Sequence, residues 1–333
     1  MGKKQINIDE LVEKLLKGDR RAAARLITRV ENQMEGYREI MQQVYPHTGN
    51  AIILGITGAG GAGKSTLTDH LIRAYREQGK SVGVVMVDPS SPFSGGAFLG
   101  DRIRLQLHTS DNEVYIRSLA SRGHLGGLSG ATYDVIRIME AMGKDLIIVE
   151  TLGAGQDEID IIHIAHTCLL VTTPNMGDDI QALKAGIMEI ADVIVLNKAD
   201  LDGAESCLRH LEASLTIGSM DEDTWLPIIV STVSVADKAE NIVGIKKLVR
   251  AIEAHQQFLH DSRKIESIKY ERVEQELGFI FKDQLQKLIF KGLKGTGKKR
   301  EYITGILEKR NDPYSVVNEV LSTHILRQRK DKT

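Results

Sequence analysis

The sequence predicts an α/β fold built on a mainly parallel, doubly wound sheet, with helical segments before and after it. Between residues 51 and 260, short apolar runs alternate with longer stretches of helical periodicity, which is the pattern of repeated βαβ units. Several of these runs are apolar at consecutive positions, as expected for strands that are buried on both faces of a parallel sheet. A glycine-rich turn separates the first run from the helix that follows it.

The chain divides into three predicted parts. Residues 1–48 form an N-terminal helical extension, because apolar residues recur at helical spacing from Leu11 to Leu26. Residues 51–260 form the sheet domain, and residues 261–333 form a C-terminal helical arm in which Asp312 and Pro313 begin the last helix. The seven candidate strands cover residues 51–57, 81–88, 113–118, 145–150, 167–173, 192–197 and 226–231. The arm carries one apolar stripe at spacings of four and three residues, formed by Val273, Leu277, Phe281, Leu285 and Leu288.

Composition excludes several classes of protein. Hydrophobic residues make up 42% of the chain and charged residues 26%, which is ordinary for a globular protein. No apolar run approaches the roughly 18 residues of a membrane span, and the first ten residues lack the apolar core of a signal peptide. We therefore expect a cytoplasmic protein that does not associate with a membrane. The net charge of −2 gives no general attraction to nucleic acid, although residues 261–333 carry 17 basic and 11 acidic residues. Two distant cysteines, Cys168 and Cys207, form no disulfide framework or cysteine-rich metal site.

The first apolar run is followed by a complete phosphate-binding motif. Residues 58–66 read GAGGAGKST and match GxxxxGK[ST], with a predicted strand before the motif and an amphipathic helix after it. Glycines allow the backbone N–H groups to converge on phosphate oxygens, and the helix adds the positive end of its dipole. We expect Lys64 to contact the β- and γ-phosphates and the Ser65 hydroxyl to ligate Mg²⁺. The sequence therefore predicts a P-loop NTPase that binds nucleotide through Gly58, Ala59, Gly60, Gly61, Ala62, Gly63, Lys64, Ser65 and Thr66.

A second match is incomplete. Residues 292–298 read GLKGTGK, but Lys299 stands where the magnesium-binding hydroxyl is required and no strand precedes the segment. It is therefore predicted to be a basic loop.

The sixth candidate strand ends in a base-reading motif. Asn197, Lys198 and Asp200 form NKxD, which resembles the guanine-recognition motif of GTPases. A carboxylate at Asp200 can accept hydrogen bonds from guanine N1–H and N2–H, and adenine offers no such pair. GTP and GDP are therefore the expected nucleotides. The segment after the next strand is expected to close over the base with its backbone N–H groups, and its residues are Ser231, Thr232 and Val233.

Acidic residues near strand ends are the candidate metal ligands. Asp88 and Glu150 each end a predicted strand, and Asp101 lies in a glycine-rich loop. One or two carboxylates suffice for Mg²⁺, which keeps several waters. Lys64, Asp101 and Glu150 are the candidate catalytic residues. His163 and His166 have the i, i+3 spacing of two helical metal ligands, but they lack a cysteine partner and are interpreted as structural.

Several long segments resemble the methylmalonyl-CoA mutase-associated GTPases, the MeaB/ArgK-like family. They include the signature loop at residues 87–102 and the segments 116–127, 150–156 and 177–200. The two ends of the chain, at residues 15–22 and 312–315, also resemble this family. Gly60 stands where members of the family often have proline. The resemblance covers nearly the whole chain.

The resemblance implies a homodimeric GTPase of the signal-recognition/MinD/BioD class that dimerises through its C-terminal arm. It implies a partner, an adenosylcobalamin-dependent acyl-CoA mutase such as methylmalonyl-CoA mutase, whose cofactor loading the GTPase gates and which it protects or reactivates. Mutases acting on isobutyryl-, ethylmalonyl- or 2-hydroxyisobutyryl-CoA remain open as partners. By position, Asp88, Asp101 and Glu150 organise the metal ion and the attacking water. The implied switch and partner-sensing residues are Gly153, Gln156, Asp178, Gln181 and Lys184.

Three alternatives share parts of this pattern. A nickel-insertion metallochaperone GTPase would use the same nucleotide chemistry but should carry cysteine or histidine ligands. A kinase of a transport protein would transfer the phosphoryl group to a protein acceptor. A non-enzymatic adaptor would use the basic arm and would function without Lys64.

Overall fold

A computed structural model of the chain describes residues 7–88, 108, 110–120, 130–151, 160–174, 191–215, 224–235, 241–293 and 297–330. The chain divides into two compact units, Met1–Arg272 and Val273–Thr333. The first unit holds the sheet, and the second holds the last helices.

The first unit is built on one seven-stranded sheet in which all neighbouring strands run parallel. The strand order is β3-β2-β4-β1-β5-β6-β7, so the first strand of the chain lies at its centre. All seven predicted strands are confirmed, as is the mainly parallel, doubly wound sheet. The strands are β1 Ile52–Thr57, β2 Val82–Asp88, β3 Val114–Ala120, β4 Leu146–Thr151, β5 Thr167–Thr172, β6 Val193–Asn197 and β7 Ile228–Thr232.

Helices cover both faces of the sheet, which is why its central strands are apolar at consecutive positions. Alternate residues of a strand point to opposite faces. In β4, Ile147 and Val149 join the core on one face, and Leu146 and Ile148 join the core on the other. The helices of the first face are α1 Ile8–Leu16, α2 Arg20–Glu31, α3 Tyr37–Val44 and α5 Gly130–Ala141. The helices of the second face are α4 Lys64–Glu77 and α7 Ile245–Asp261.

A smaller core forms where α6 Ala204–Leu215 packs through Cys207 and Leu211 against Leu170 of β5 and Leu196 of β6. The N-terminal helices begin with side-chain caps. Asn7 accepts a hydrogen bond from the backbone of Glu10, and Asp19 accepts one from that of Ala22. The helical prediction for this segment is confirmed.

The second unit is helical. Helix α8 Lys264–Leu293 begins in the first unit and continues into the second, which also contains α9 Lys298–Leu307 and α10 Pro313–Lys330. The carboxylate of Asp312 accepts hydrogen bonds from the backbone and the hydroxyl of Ser315, so the predicted start of the last helix is confirmed. A helix, and not a strand, precedes the second glycine-lysine motif; residues 294–296 of that motif lie outside the described residues.

None of the helices in the described ranges is both long enough and apolar enough to cross a membrane.

His166 is a buried residue at the amino edge of the sheet. Its Nδ1 accepts a hydrogen bond of 3.2 Å from the backbone N–H of Ile53, and Nη1 of Arg272 lies 2.6 Å from its Nε2. Burial, together with the positive charge of Arg272, lowers the pKa of His166 from 6.5 to about 3. Among the described residues, no three His, Cys, Asp or Glu side chains are grouped so as to hold a metal ion. The Ile53 hydrogen bond and the lowered pKa support the interpretation of His166 as a neutral, structural residue.

This pKa predicts that the fold weakens in acid. Between pH 6.5 and 3, the unfolded chain binds a proton at His166 that the folded chain excludes, so the free energy of unfolding falls as the pH falls. The slope approaches about 1.4 kcal/mol per pH unit for this one group. Urea unfolding should be measured at pH 7 and at pH 5. When the pH is lowered between these values, the free energy of unfolding of His166→Asn should fall by about 2 kcal/mol less than that of the wild type. Equal decreases in the two proteins would contradict the lowered pKa of His166. The control is His47→Asn, which replaces an exposed histidine and should behave like the wild type.

Candidate functional site

A cavity of about 610 Å³ opens at the carboxyl edge of the sheet. In open parallel sheets this edge is where ligands bind. The cavity brings together the phosphate loop after β1, the end of β4, the NKxD motif after β6 and the segment after β7. Its lining residues are Gly61, Gly63, Lys64, Ser65, Thr66, Glu150, Asn197, Lys198, Asp200, Leu201, Ser234 and Val235.

Two glycines of the phosphate loop occupy positions that no other residue fits. Gly58 has a φ of +133°, and a Cβ there would lie 2.1 Å from the backbone oxygen of Val171. Gly63 has a φ of +94°, and a Cβ there would lie 2.4 Å from Nδ2 of Asn197. Close contact between the loop, the neighbouring strand and the NKxD motif therefore requires glycine. Helix α4 begins immediately afterwards, so its positive end faces the cavity.

The side chain of Lys64 is buried and folds back over the phosphate loop. Its Nζ donates hydrogen bonds to the backbone oxygens of Gly58 at 2.6 Å and Ala59 at 3.0 Å. An ammonium group has three donors and no acceptor, so these carbonyls fix where its positive charge lies. The loop thus holds a cation at the wall of the cavity, where it is suited to bind phosphate oxygens.

The carboxylate of Glu150 is buried at the end of β4, with 2% of the residue exposed. The Ser65 hydroxyl donates a 2.5 Å hydrogen bond to Oε1, and the Thr68 hydroxyl donates a 2.8 Å bond to Oε2. Both hydroxyls belong to α4, so the carboxylate joins β4 to the helix that follows the phosphate loop.

These side chains fit a magnesium ion. Mg²⁺ prefers oxygen ligands and usually takes few of them from protein. The Ser65 hydroxyl donates its hydrogen bond to Glu150 and keeps its proton, which leaves the lone pairs of the Ser65 oxygen available to a cation. The predicted ligand Asp88 ends β2, but its side chain lies outside what the structure describes, as does Asp101.

The NKxD motif braces the phosphate loop. The buried side chain of Asn197 donates from Nδ2 to the Ala62 backbone oxygen at 2.8 Å, and its Oδ1 accepts a 3.0 Å bond from Thr232. The Nζ atom of Lys198 donates to the backbone oxygen of Gly61 at 2.9 Å. The phosphate loop and the NKxD motif therefore form one hydrogen-bonded assembly, although Ala62 and Asn197 lie 135 positions apart in the sequence.

The cavity lining also combines one carboxylate, after β6, with apolar groups. The Asp200 side chain is exposed and lines the cavity beside Leu201, which is 38% exposed. Ser234 and Val235 line the same cavity, and Val235 is 71% exposed despite being apolar. Nε2 of His70 on α4 lies 2.8 Å from the Ser234 backbone oxygen and holds this segment beside the helix. A planar, apolar-faced base with polar edges suits such an environment.

Comparison with known proteins agrees with this geometry. The family model described as methylmalonyl-CoA mutase-associated GTPase MeaB matches residues 23–294. The chain belongs to the MeaB family of GTPases. A putative GTPase of Pyrococcus abyssi is 48% identical over 316 residues, which cover 94% of this chain and 96% of that protein. A fused isobutyryl-CoA mutase of Geobacillus kaustophilus is 39% identical over 214 residues, which cover 61% of this chain and 20% of that protein.

The fold of this MeaB-family chain matches a solved structure. The crystal structure of a LAO/AO transport system kinase superposes with a TM-score of 0.70 at 24% identity and covers 96% of this chain and 99% of the other. The predicted P-loop NTPase fold is therefore confirmed.

Some of the predicted site residues of this MeaB-family chain line the cavity, and others do not. Thr232 is buried behind Asn197, and Val233 pairs with Val243 through two 3.2 Å backbone bonds. Ser231, which is exposed, and Thr232 end β7, and Val233 continues the strand. In this part of the chain, the cavity is lined instead by Ser234 and Val235. The following predicted residues lie outside the described residues: Asp101, Gly153, Gln156, Asp178, Gln181 and Lys184.

The sequence prediction missed Thr68, Leu201, Ser234 and Val235. A signal for Thr68 was present, because it stands three residues after Ser65 and therefore on the same side of α4. The others follow predicted motifs by one or two positions.

Proposed function

We propose that the chain hydrolyses GTP and that its hydrolysis serves an adenosylcobalamin-dependent acyl-CoA mutase. The observation that carries the first part is the hydrogen-bonded assembly of the phosphate loop and the NKxD motif on one cavity. Lys64, the proposed phosphate ligand, and Asp200, the proposed base ligand, both line this cavity, which supports a guanine nucleotide as its ligand.

The proposed chemistry is in-line attack of water on the γ-phosphorus. Positioning and charge neutralisation supply most of the catalysis in such reactions. Lys64 neutralises charge on the phosphate oxygens, and the N–H groups at the start of α4 bind them. Ser65 would hold Mg²⁺, which when bound neutralises charge on the β- and γ-phosphates. Asp88 and Asp101 remain proposed to organise the metal ion and the attacking water, and Glu150 orients Ser65.

The fused relative supports the proposed mutase partner. In that protein, a segment 39% identical to this chain is part of a polypeptide named as an isobutyryl-CoA mutase. We therefore expect this chain to bind a separate acyl-CoA mutase, to gate the loading of its cofactor and to protect or reactivate it. The proposed partner-sensing residues are Gly153, Gln156, Asp178, Gln181 and Lys184.

Complex formation tests this partnership. Size-exclusion chromatography should show a complex with isobutyryl-CoA or methylmalonyl-CoA mutase whose amount differs between GDP and a non-hydrolysable GTP analogue. A complex that is indifferent to nucleotide, or no complex with any adenosylcobalamin-dependent mutase, would contradict the partnership.

We also propose that the arm forms a homodimer. Its apolar stripe is exposed along α8, with Leu277 at 50% and Phe281 at 72% exposure. A second copy of the chain would cover the same stripe with its own. Phe281→Glu should therefore yield a monomer in light scattering, because it would bury a charge in the apolar contact. Gln286→Glu adds the same charge at another exposed position of α8 and should remain a dimer. A dimeric Phe281→Glu variant would contradict this proposal.

A further inference from the structure

Thr68 is a fully buried residue on the second turn of α4. It lies three residues after Ser65, so the two side chains share one side of the helix. Both donate hydrogen bonds to Glu150, but to different oxygens: Ser65 to Oε1 at 2.5 Å and Thr68 to Oε2 at 2.8 Å. Both oxygens of the carboxylate therefore accept hydrogen bonds from a single helix.

The direction of the Thr68 hydroxyl is informative. A threonine inside a helix commonly satisfies its hydroxyl on the backbone oxygen four residues earlier, which would require no partner outside the helix. Thr28 of α2 does so, donating to the Ala24 backbone oxygen at 2.8 Å. Thr68 instead donates to a charged group on β4, across 82 positions of the chain. Hydrogen bonds to charged groups are the stronger kind, so this contact restrains the carboxylate.

Restraining Glu150 has a consequence for Ser65. A hydroxyl ligates a cation through an oxygen lone pair, so its proton must point elsewhere. Oε1 of Glu150 accepts the hydrogen bond from this hydroxyl and thereby sets the direction of the lone pairs. If the carboxylate of Glu150 rotated about its Cγ–Cδ bond, the Ser65 hydroxyl would rotate with it. The Thr68 bond to the second oxygen opposes that rotation.

We propose that Thr68 is a positioning residue for the divalent-cation site, acting through Glu150 on Ser65. This inference rests on the proposed function, because the cation is the one that accompanies a guanine nucleotide. Outer groups that orient a metal ligand typically change metal affinity or activity 10- to 100-fold when removed. Thr68 is therefore expected to affect the dependence on Mg²⁺ and not the binding of nucleotide itself.

The test compares Thr68→Val, which keeps the shape and removes the hydroxyl, with Thr68→Ser, which keeps the hydroxyl. Affinity for GDP is measured by titration calorimetry on the full chain in EDTA and over a series of Mg²⁺ concentrations. Thr68→Val should bind GDP like the wild type in EDTA but require about 10- to 100-fold more Mg²⁺ for half-maximal tightening. Thr68→Ser should restore the wild-type Mg²⁺ dependence. Thermal unfolding of each variant establishes that it is folded.

Thr132→Val is the matched control, because Thr132 is a fully buried threonine of α5 whose hydroxyl has no hydrogen-bond partner among the described residues. It should leave the Mg²⁺ dependence unchanged. A Thr68→Val chain with wild-type Mg²⁺ dependence, or one with equal losses in EDTA and in Mg²⁺, would overturn the positioning role alone. If Thr68→Ser needed as much additional Mg²⁺ as Thr68→Val, the hydroxyl would not be responsible, and the positioning role would also be overturned. A wild-type chain that binds no GDP would overturn the proposed function together with this inference.

Discussion

Replacing Lys64 by alanine should abolish tight GTP binding and lower GTP turnover by at least about 100-fold. The variant loses a buried ammonium group that the Gly58 and Ala59 carbonyls hold at the cavity wall. A hydrogen bond to a charged group contributes about 1.5–3 kcal/mol, and one lysine can contact both the β- and the γ-phosphate. Two such contacts correspond to a factor of about 10²–10⁴ in affinity.

Titration calorimetry with GTP and a phosphate-release assay measure the two effects. Lys80→Ala is the control, because it removes an exposed lysine after the end of the same helix and should change neither quantity. Unchanged GTP affinity in a folded Lys64→Ala chain would contradict the assignment of the phosphate loop.

Replacing Asp200 by asparagine should transfer the preference of the chain from guanine to xanthine nucleotides. The carboxylate is exposed in the cavity, where it can accept from guanine N1–H and N2–H. Asparagine offers one acceptor and one donor, so its amide opposes N2–H but complements the oxygen at that position of xanthine. Sites that read hydrogen-bonding groups reject mismatched ligands by a factor of about 10⁴–10⁵. We expect GTP affinity to fall by at least about 100-fold.

Competition of GTP, XTP and ATP for the cavity measures this change. Asp202→Asn makes the same replacement two residues later at another exposed position and should keep guanine selectivity. If Asp200→Asn still selected GTP over XTP, Asp200 would not read the base.

Local patterns in the sequence predict most of the fold. Consecutive apolar residues in runs such as 145–150 indicate strands buried on both faces, and β4 is such a strand, with each residue buried. The phosphate loop is predictable for the same reason, since glycine, lysine and hydroxyl must stand at fixed short spacings. Long motifs, each continuous in sequence, indicate the family.

Contacts between distant segments are much harder to predict. The order of strands decides that Glu150 faces α4, because β4 and β1 are neighbours although 88 residues separate them between Thr57 and Leu146. The Thr68–Glu150 contact depends on that order. The position of a strand end has similar consequences. Strand β7 reaches Thr232, so the residues after it that line the cavity begin at Ser234 and not at Ser231. Periodicity places such ends only within a few residues.

GTP turnover by the purified chain, alone and with adenosylcobalamin-dependent acyl-CoA mutases from the same genome, tests the central claim most directly. We predict slow turnover by the chain alone, strong stimulation by one mutase, and loss of both activities in Lys64→Ala. That result would establish the coupling and identify the partner. Turnover unaffected by every mutase would contradict the proposed coupling to a mutase, and the nickel-insertion alternative would then be tested by nickel binding.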